Sequence, residues 1–298
     1  MMRKVKYSDI DFEKYSHCVE NSAQRKYSAT TGFLKICCGD NWEIIVHGDY
    51  DAVMPVPFVK KLGLKVVVNP VLCQQLGIFS TEDRTETNEE FLAFFSDNYR
   101  IAYYPFNDKN SFRAQLPVRN NYVLMKDSYE EVRQKYSPKR RRKLIIDDEY
   151  KSKLSIRKIT WNEGEGFMKN HVPGLHNDSL RNEYFRILKE LDQNGKLEHE
   201  AFLLEDEIIN IVTIYKDEQT AVLLGTFNSR EKIKLNGASI LVDRAVERHI
   251  ASHDFDFEGS DVPAIAEFFR GFRPQLKPYP IIRNSKKELL KNMLTNFS

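Results

Sequence analysis

The stretch that decides the fold spans residues 221–250 and reads AVLLGTFNSREKIKLNGASILVDRAVERHI. An apolar strand pattern ends at Thr226-Phe-Asn-Ser229, and a basic loop, residues 230–236, leads directly into Gly237-Ala-Ser239. Apolar residues then recur at helical spacing as far as Ile250. The pattern predicts a strand, a short basic loop and a helix that begins with three small residues.

This helix start has the composition of an anion site. Small residues let backbone N–H groups approach a ligand closely, and the first turn offers unpaired donors and a positive dipole end. We therefore predict that Lys234, Gly237, Ala238 and Ser239 hold the phosphate of a donor molecule. A solvated loop before an ordinary helix explains the same residues, because so short a match often arises by chance.

A second polar segment follows the helix, in Phe255-Asp-Phe-Glu-Gly-Ser260. Apolar and acidic residues alternate there, so a strand would present Asp256 and Glu258 on one face. We predict that Glu258 is a general base and that Asp256 and Ser260 bind substrate. The alternative is an amphipathic edge strand with solvated carboxylates.

Working outward, the pattern predicts a meander of strands at 201–204, 208–215 and 221–227, preceded by helices near 163–170 and 179–191. The first half of the chain repeats this order of elements approximately. We therefore predict an α/β protein with mixed sheets and two lobes, residues 1–145 and 146–298, joined by a connection near 135–153.

Composition bounds the class of protein. The 298 residues include 41% hydrophobic and 30% charged residues, with 14 Tyr and 19 Phe, which favours two folded cores over disorder. The net charge of +2 means that any anion binding must be local. The four cysteines have no regular spacing and no run of about 18 apolar residues occurs, so we expect a reduced cytoplasmic protein without a membrane span.

The chain also resembles a known family. Residues 200–275 are similar to GNAT acyltransferases, whose pyrophosphate loop reads Arg/Gln-x-x-Gly-x-Gly/Ala, where this chain has Lys234-Leu-Asn-Gly237-Ala-Ser239. Lys replaces Arg or Gln, and Ser replaces Gly or Ala. Over about residues 40–282 the chain resembles the FemAB-like branch, on the segments DYDAVMPVP (49–57), PVLCQQLG (70–77), KRRRK (139–143), DFEGS (256–260), AEFFRGF (266–272) and PY (278–279).

This resemblance implies two tandem GNAT-like (acyl-CoA N-acyltransferase) lobes, with the donor site in the C-terminal one. It implies an acyl- or aminoacyl-transferase that takes an acyl-CoA or an aminoacyl-tRNA as donor, with tRNA as a partner, and needs no metal. The acceptor would be the amine of a small molecule or a peptide. Two alternatives stay open: a catalytically silent binding module, and a tRNA-dependent aminoacyl (peptidyl) transferase.

Phe269 departs from the family pattern. GNAT enzymes often carry a Tyr on the helix after the fifth strand, which protonates the departing thiolate, and the alignment places Phe269 there. A phenyl ring cannot donate a proton. Phe269 either lines the donor pocket or is one apolar residue of a packed helix with Ile265 and Phe268.

Two further clusters have competing explanations. The basic run Lys139–Lys143 would suit tRNA phosphates or a lipid head group, or it forms a solvated helix face beside Asp147-Asp-Glu149. His249 and His253 have the spacing of helical metal ligands, but no HExxH motif accompanies them, which favours an ordinary helix end.

Overall fold

The computed structural model describes residues 1–61, 63–175, 177–285 and 287–289. The strands, in chain order, are β1 Met2–Lys6, β2 Trp42–His47, β3 Ala52–Lys61, β4 Leu64–Val67, β5 Phe79–Ser80, β6 Tyr103–Pro105, β7 Val118–Leu124, β8 Leu154–Ile159, β9 Leu197–Leu204, β10 Glu207–Lys216, β11 Thr220–Asn228, β12 Asp254–Asp256 and β13 Gln275–Arg283. The helices are α1 Phe12–Glu20, α2 Thr31–Cys38, α3 Thr85–Asn98, α4 Tyr129–Lys135, α5 Pro138–Arg142, α6 Asp148–Lys151, α7 Trp161–His171, α8 Asp178–Gln193, α9 Gly237–His249 and α10 Pro263–Arg270.

The chain forms two compact units. Unit 1 contains Met1–Arg119 and the segment from Pro278 onward, and unit 2 contains Asn120–Lys277. In unit 1, β1, β2, β3 and β4 pair antiparallel in that order, and β5 pairs with β3. The Tyr15 ring from α1 packs on the buried Trp42 of β2, with ring centroids 5.4 Å apart. Strand β6 pairs antiparallel with the end of β13.

Unit 2 is built on a sheet in the order β7-β12-β11-β10-β9-β8. Neighbours pair antiparallel except β11 and β12, which are parallel. Two adjacent parallel strands require a crossover connection, and α9 supplies it. The helix predicted from residue 237 is therefore the crossover of a β-α-β unit.

Helices cover both faces of this sheet. Val212 and Ile214 of β10 share a core cluster with Leu241 and other apolar residues of α9. The alternate residues of β10 contact α7: the Thr213 hydroxyl lies 3.8 Å from the sulfur of Met168. Because both faces are covered, the middle of β10 is buried on both sides and is mostly apolar, with Asn210 and Thr213 as its polar residues.

The boundary between the units differs from the sequence prediction of 145/146. The chain divides at Arg119/Asn120, and it divides again at Lys277/Pro278. The reason is packing: Tyr122 and Leu124 of β7, and Val132 of α4, belong to the core cluster of unit 2. Local sequence does not reveal this, because β7 pairs with β12, some 130 residues further along the chain.

Candidate functional site

The parallel strands β11 and β12 part after three residue pairs. They pair at Thr220–Asp254, Ala221–Phe255 and Val222–Asp256, where their described register ends. Strand β11 continues to Asn228, whereas β12 stops at Asp256. Ligands of open α/β sheets bind beyond the carboxyl ends of parallel strands, where neighbours diverge. The opening beyond Val222 and Asp256 is therefore the candidate site.

A β-bulge lies at the start of this opening. Thr213 of β10 opposes Gly225 and Ile214 opposes Leu223, so Leu224 is an extra residue in β11. The Tyr184 hydroxyl of α8 donates a hydrogen bond to the Leu224 carbonyl, 3.2 Å away. Bulges redirect backbone groups beside binding sites. The bulge therefore changes the direction of the β11 backbone at Leu224, two residues beyond Val222, the last residue paired with β12. The hydrogen bond from Tyr184 holds the backbone there.

The segment after β12 turns sharply. Asp256 is buried and accepts two hydrogen bonds, from the Asn121 side-chain amide at 3.1 Å and from the Glu258 N–H at 2.8 Å. Glu258 and Gly259 both have left-handed backbones, with φ of 60° and 59°. The predicted alternation therefore ends with the strand at Asp256, and Glu258 lies on a turn that the Asp256 carboxylate braces.

Ser260 lies one residue beyond this turn. Its hydroxyl accepts a hydrogen bond from the Val262 N–H, 3.0 Å away, immediately before α10. Glu258 and Ser260 are both half-exposed. Of the three residues assigned to chemistry in this segment, Asp256 at the end of β12 supports the turn, while Glu258 and Ser260 retain surface that a ligand can reach.

The start of α9 is packed against protein. Gly237 does begin the helix, but a Cβ there would overlap the Asn210 side-chain oxygen and approach Phe202 Cδ1 to 2.7 Å. Ser239 is buried, and its hydroxyl accepts a hydrogen bond from Arg140. A side chain at position 237 would therefore meet Asn210 and Phe202, and the Ser239 hydroxyl is already bonded to Arg140.

Lys234 and Ala238 keep more surface at this helix start: Lys234 is exposed and Ala238 half-exposed. The preceding residue, Asn236, has a left-handed backbone with φ of 58°, and its carbonyl accepts from the N–H groups of Ser239 and Ile240. The assignment of a donor phosphate to this helix start therefore stays a prediction.

A cavity of about 720 Å³ lies at the far end of β11, and its lining includes Phe167, His171, Asn228 and Arg230. Asn228 accepts a hydrogen bond of 2.8 Å from the side-chain amide of Asn210, the residue that packs on Gly237. One asparagine pair thus connects the cavity to the start of α9. His171 was not predicted from the sequence; Asn228 lies in the strand-end segment Thr226–Ser229, the signal that could have marked it.

Phe269 lies in the core of unit 2. It is 6% exposed and packs on Phe257, with ring centroids 4.9 Å apart. It belongs to the same cluster as Phe272 and Tyr122. Its surroundings match the packing explanation offered by its helical spacing.

The basic run forms α5 and the residue after it. Lys139 forms an ion pair of 2.8 Å with Glu267 of α10, while Arg141, Arg142 and Lys143 are exposed. Arg140 is buried, and burial lowers the pKa of its guanidinium to about 10, so it stays charged at neutral pH. The run is therefore not uniformly solvated, because its second residue points into the protein.

Two negative observations concern the described part of the chain. Within it, no group of three or more His, Cys, Asp or Glu side chains is arranged to hold a metal ion. The rings of His249 and His253 are perpendicular, with centroids 6.1 Å apart. None of the helices among residues 1–61, 63–175, 177–285 and 287–289 has the length and apolar character of a membrane span.

Solved structures with the same fold are known, although no similar curated sequence was found. No protein-family model and no curated protein sequence matches the chain. Among solved structures, FemX aligns with a TM-score of 0.61 at 10% identity, over 93% of this chain and 96% of FemX. A conserved protein of unknown function from Bacteroides thetaiotaomicron aligns with a TM-score of 0.56 at 8% identity, over 95% and 99% of the two chains.

A tandem GNAT protein from the clavulanic acid biosynthesis pathway aligns with a TM-score of 0.52 at 10% identity, over 94% of this chain and 97% of that protein. At such identities the likeness concerns the fold alone. The predicted fold class, mixed α/β with two GNAT-like units in tandem, is confirmed. The chain therefore shares the fold of FemX and of this tandem GNAT protein, and its resemblance to the FemAB-like branch holds at the level of the fold.

Proposed function

We propose that unit 2 transfers an acyl or aminoacyl group from an activated donor to an amine of a small molecule or a peptide. One observation carries the proposal: β11 and β12 part at Val222 and Asp256, with a bulge on one side of the opening and a left-handed carboxylate residue on the other. Fold alone does not specify chemistry, so the proposal depends on these groups.

Amide formation makes two demands on a site. The attacking amine must lose a proton, and the carbonyl oxygen of the donor must be stabilised as negative charge develops on it. Glu258 lies two residues beyond the last paired residue of β12, and Leu224 lies two residues beyond that of β11. In our proposal backbone N–H groups at the bulge polarise the carbonyl, and the Glu258 carboxylate takes the proton of the amine.

Two donor classes fit this chemistry. When the amine attacks an acyl-CoA, the bond from the acyl carbon to sulfur breaks and coenzyme A leaves as a thiolate; with an aminoacyl-tRNA the ester bond breaks and the ribose oxygen of the tRNA leaves. In both cases the leaving atom takes up a proton, which balances the one that Glu258 removes from the amine.

GNAT enzymes often have a tyrosine that protonates the departing thiolate. In this chain Phe269 stands at that position and packs in the core, so it cannot supply the proton. At the start of α9, Lys234 and Ala238 would face the part of the donor that carries the acyl group, coenzyme A or tRNA. Both donors are made in the cytoplasm, which is where we propose that the protein acts.

The test is a transfer assay with the full chain, amine acceptors, and acetyl-CoA or aminoacyl-tRNA as donor. Glu258→Gln should slow transfer by about 10²–10⁴-fold, the usual contribution of one general base. Glu218→Gln, an exposed carboxylate in the turn before β11, is the matched control and should leave the rate unchanged. Absence of transfer from both donors would overturn the proposal in favour of a silent binding module.

A further inference from the structure

A second cavity in unit 2, of about 380 Å³, lies where α5 and the segment from α10 to residue 273 meet. Its lining is rich in cations, contributed by both segments: Lys139, Arg140, Lys143, Arg270 and Arg273. Its volume is within the range of about 300–1,000 Å³ that is typical of small-molecule sites. The cavity is therefore large enough for a ligand and strongly positive.

The protein supplies little negative charge to balance these cations. Among the described lining residues Glu267 is the one carboxylate; it is paired with Lys139 and also attracts Arg270 and Lys143 at longer range. Within the described part of the chain, Lys143, Arg270 and Arg273 form no ion pair. Like charges held this close repel one another, and an anion between them would remove that repulsion.

Arg140 is the buried member of the group, with 4% of its surface exposed. It donates hydrogen bonds to the Ser239 hydroxyl and, over 2.7 Å, to the Phe268 carbonyl. The rings of Phe268 and Phe272 lie 4.2 and 4.3 Å from its central carbon. Its Nε has no hydrogen-bond partner among the described residues. The hydrogen bonds and ring contacts of this buried guanidinium are thus all to neutral groups; the Asp243 carboxylate attracts it, but no described carboxylate forms an ion pair with it.

We propose that this cavity binds the phosphate group of a soluble phosphate ester. Guanidinium groups match phosphate oxygens with paired N–H donors, which favours a phosphate over a single carboxylate where several arginines converge. Arg273 is placed by a left-handed backbone, with φ of 59°, and its N–H donates to the Arg270 carbonyl over 3.1 Å. This inference does not depend on acyl transfer.

The test is calorimetric titration of the full chain with inorganic phosphate and with adenosine monophosphate. Both should bind, and the exposed lining variants Arg270→Gln and Lys143→Gln should each weaken binding at least about tenfold, the loss of one charge-assisted hydrogen bond. Arg141→Gln and Arg142→Gln are the matched controls, because these exposed residues of α5 do not line the cavity. They should change the affinity by less than about twofold at physiological salt.

Two outcomes would contradict the proposal. Equal weakening in the control variants would mean that general positive charge, not the cavity, attracts the anion. Binding to phosphatidylglycerol vesicles, with no binding of either soluble phosphate, would assign the surface to a membrane head group. Arg140 itself is left intact in these variants because its burial makes a folding defect the expected result of its replacement.

Discussion

The guanidinium of Arg140 donates a hydrogen bond to the hydroxyl of Ser239, and both side chains are buried. The contact joins α5, at the start of the basic run, to the first turn of α9. From the sequence, Ser239 was predicted to bind a donor phosphate and Arg140 belonged to a basic run suited to tRNA phosphates. In the structure the two side chains bond to each other. Gly237 and Ser239 therefore both take part in packing within unit 2.

Replacing the acceptor of this bond should destabilise the protein. Ser239→Ala removes a hydrogen bond to a charged group, and we expect the free energy of unfolding to fall by about 1.5–3 kcal/mol. Urea denaturation measures the change. Ser252→Ala, just after α9 at an exposed position, is the control and should stay within about 0.5 kcal/mol of the parent protein. Equal effects at the two sites would disprove the buried bond.

Gly237→Ala tests the packing at the helix start. The new methyl group would overlap the Asn210 side chain, and overpacking costs about 1–3 kcal/mol, more than the gain of up to about 1 kcal/mol in helix propensity. We expect a net loss of stability in thermal denaturation. Gly166→Ala on α7, where a Cβ meets nothing within 4 Å, should instead stabilise by up to about 1 kcal/mol. Stabilisation by both changes would show that the first turn of α9 has free space.

Glu258→Gly separates strain from chemistry at the turn after β12. Relief of a left-handed backbone gains about 1–2 kcal/mol, and the added freedom of the unfolded chain costs about 0.4–1 kcal/mol. We expect a net gain in the free energy of unfolding together with the 10²–10⁴-fold loss of transfer that removal of a base causes. Loss of stability without loss of transfer would remove Glu258 from the proposed mechanism.

Two buried histidines predict how stability depends on pH. Burial lowers the pKa of His199 despite the opposing attraction of Asp192, and burial lowers the pKa of His249 despite that of Glu198. The unfolded chain then binds protons more readily than the folded protein as pH falls below about 6.5. Stability from these groups is full above that pH and is lost below it.

The measurement is the free energy of unfolding by urea at pH 7.5, 6.5, 5.5 and 5.0. It should decline below pH 6.5 in the parent protein, and the decline should be shallower in the double variant His199→Gln/His249→Gln. A gain in stability on acidification over this window would contradict the direction of both pKa shifts.

Local pattern was enough to predict the strand β10 and the helix α9 of unit 2. The apolar run of β10 and the helical spacing after Gly237 are properties of neighbouring residues, and both elements formed as expected. The pairing of β7 with β12 is a contact between distant segments. Nothing near Tyr122 indicates it, so the predicted boundary at residue 145 differs from the division at Asn120.

The candidate site was less predictable, for two physical reasons. The left-handed backbone of Glu258 is supported by the Asp256 carboxylate, which accepts a hydrogen bond from the Glu258 N–H. The alternation of apolar and acidic residues in 255–258 predicts a continuing strand and does not indicate this turn. The burial of Arg140 in a basic run contradicts the usual fate of charged residues, and two phenylalanines more than 120 positions away make it tolerable. Charge patterning predicts solvent exposure there, and tertiary contacts override it.

The division of the chain has a consequence for synthesis on the ribosome. Unit 2 is one continuous segment, whereas unit 1 needs both the first 119 residues and the segment after Pro278. Strand β6 must therefore wait for β13 until the intervening chain has emerged, roughly ten seconds or more at typical translation rates. During that interval unit 2 can complete its sheet, and the edge of β6 is available to chaperones or to a second nascent chain.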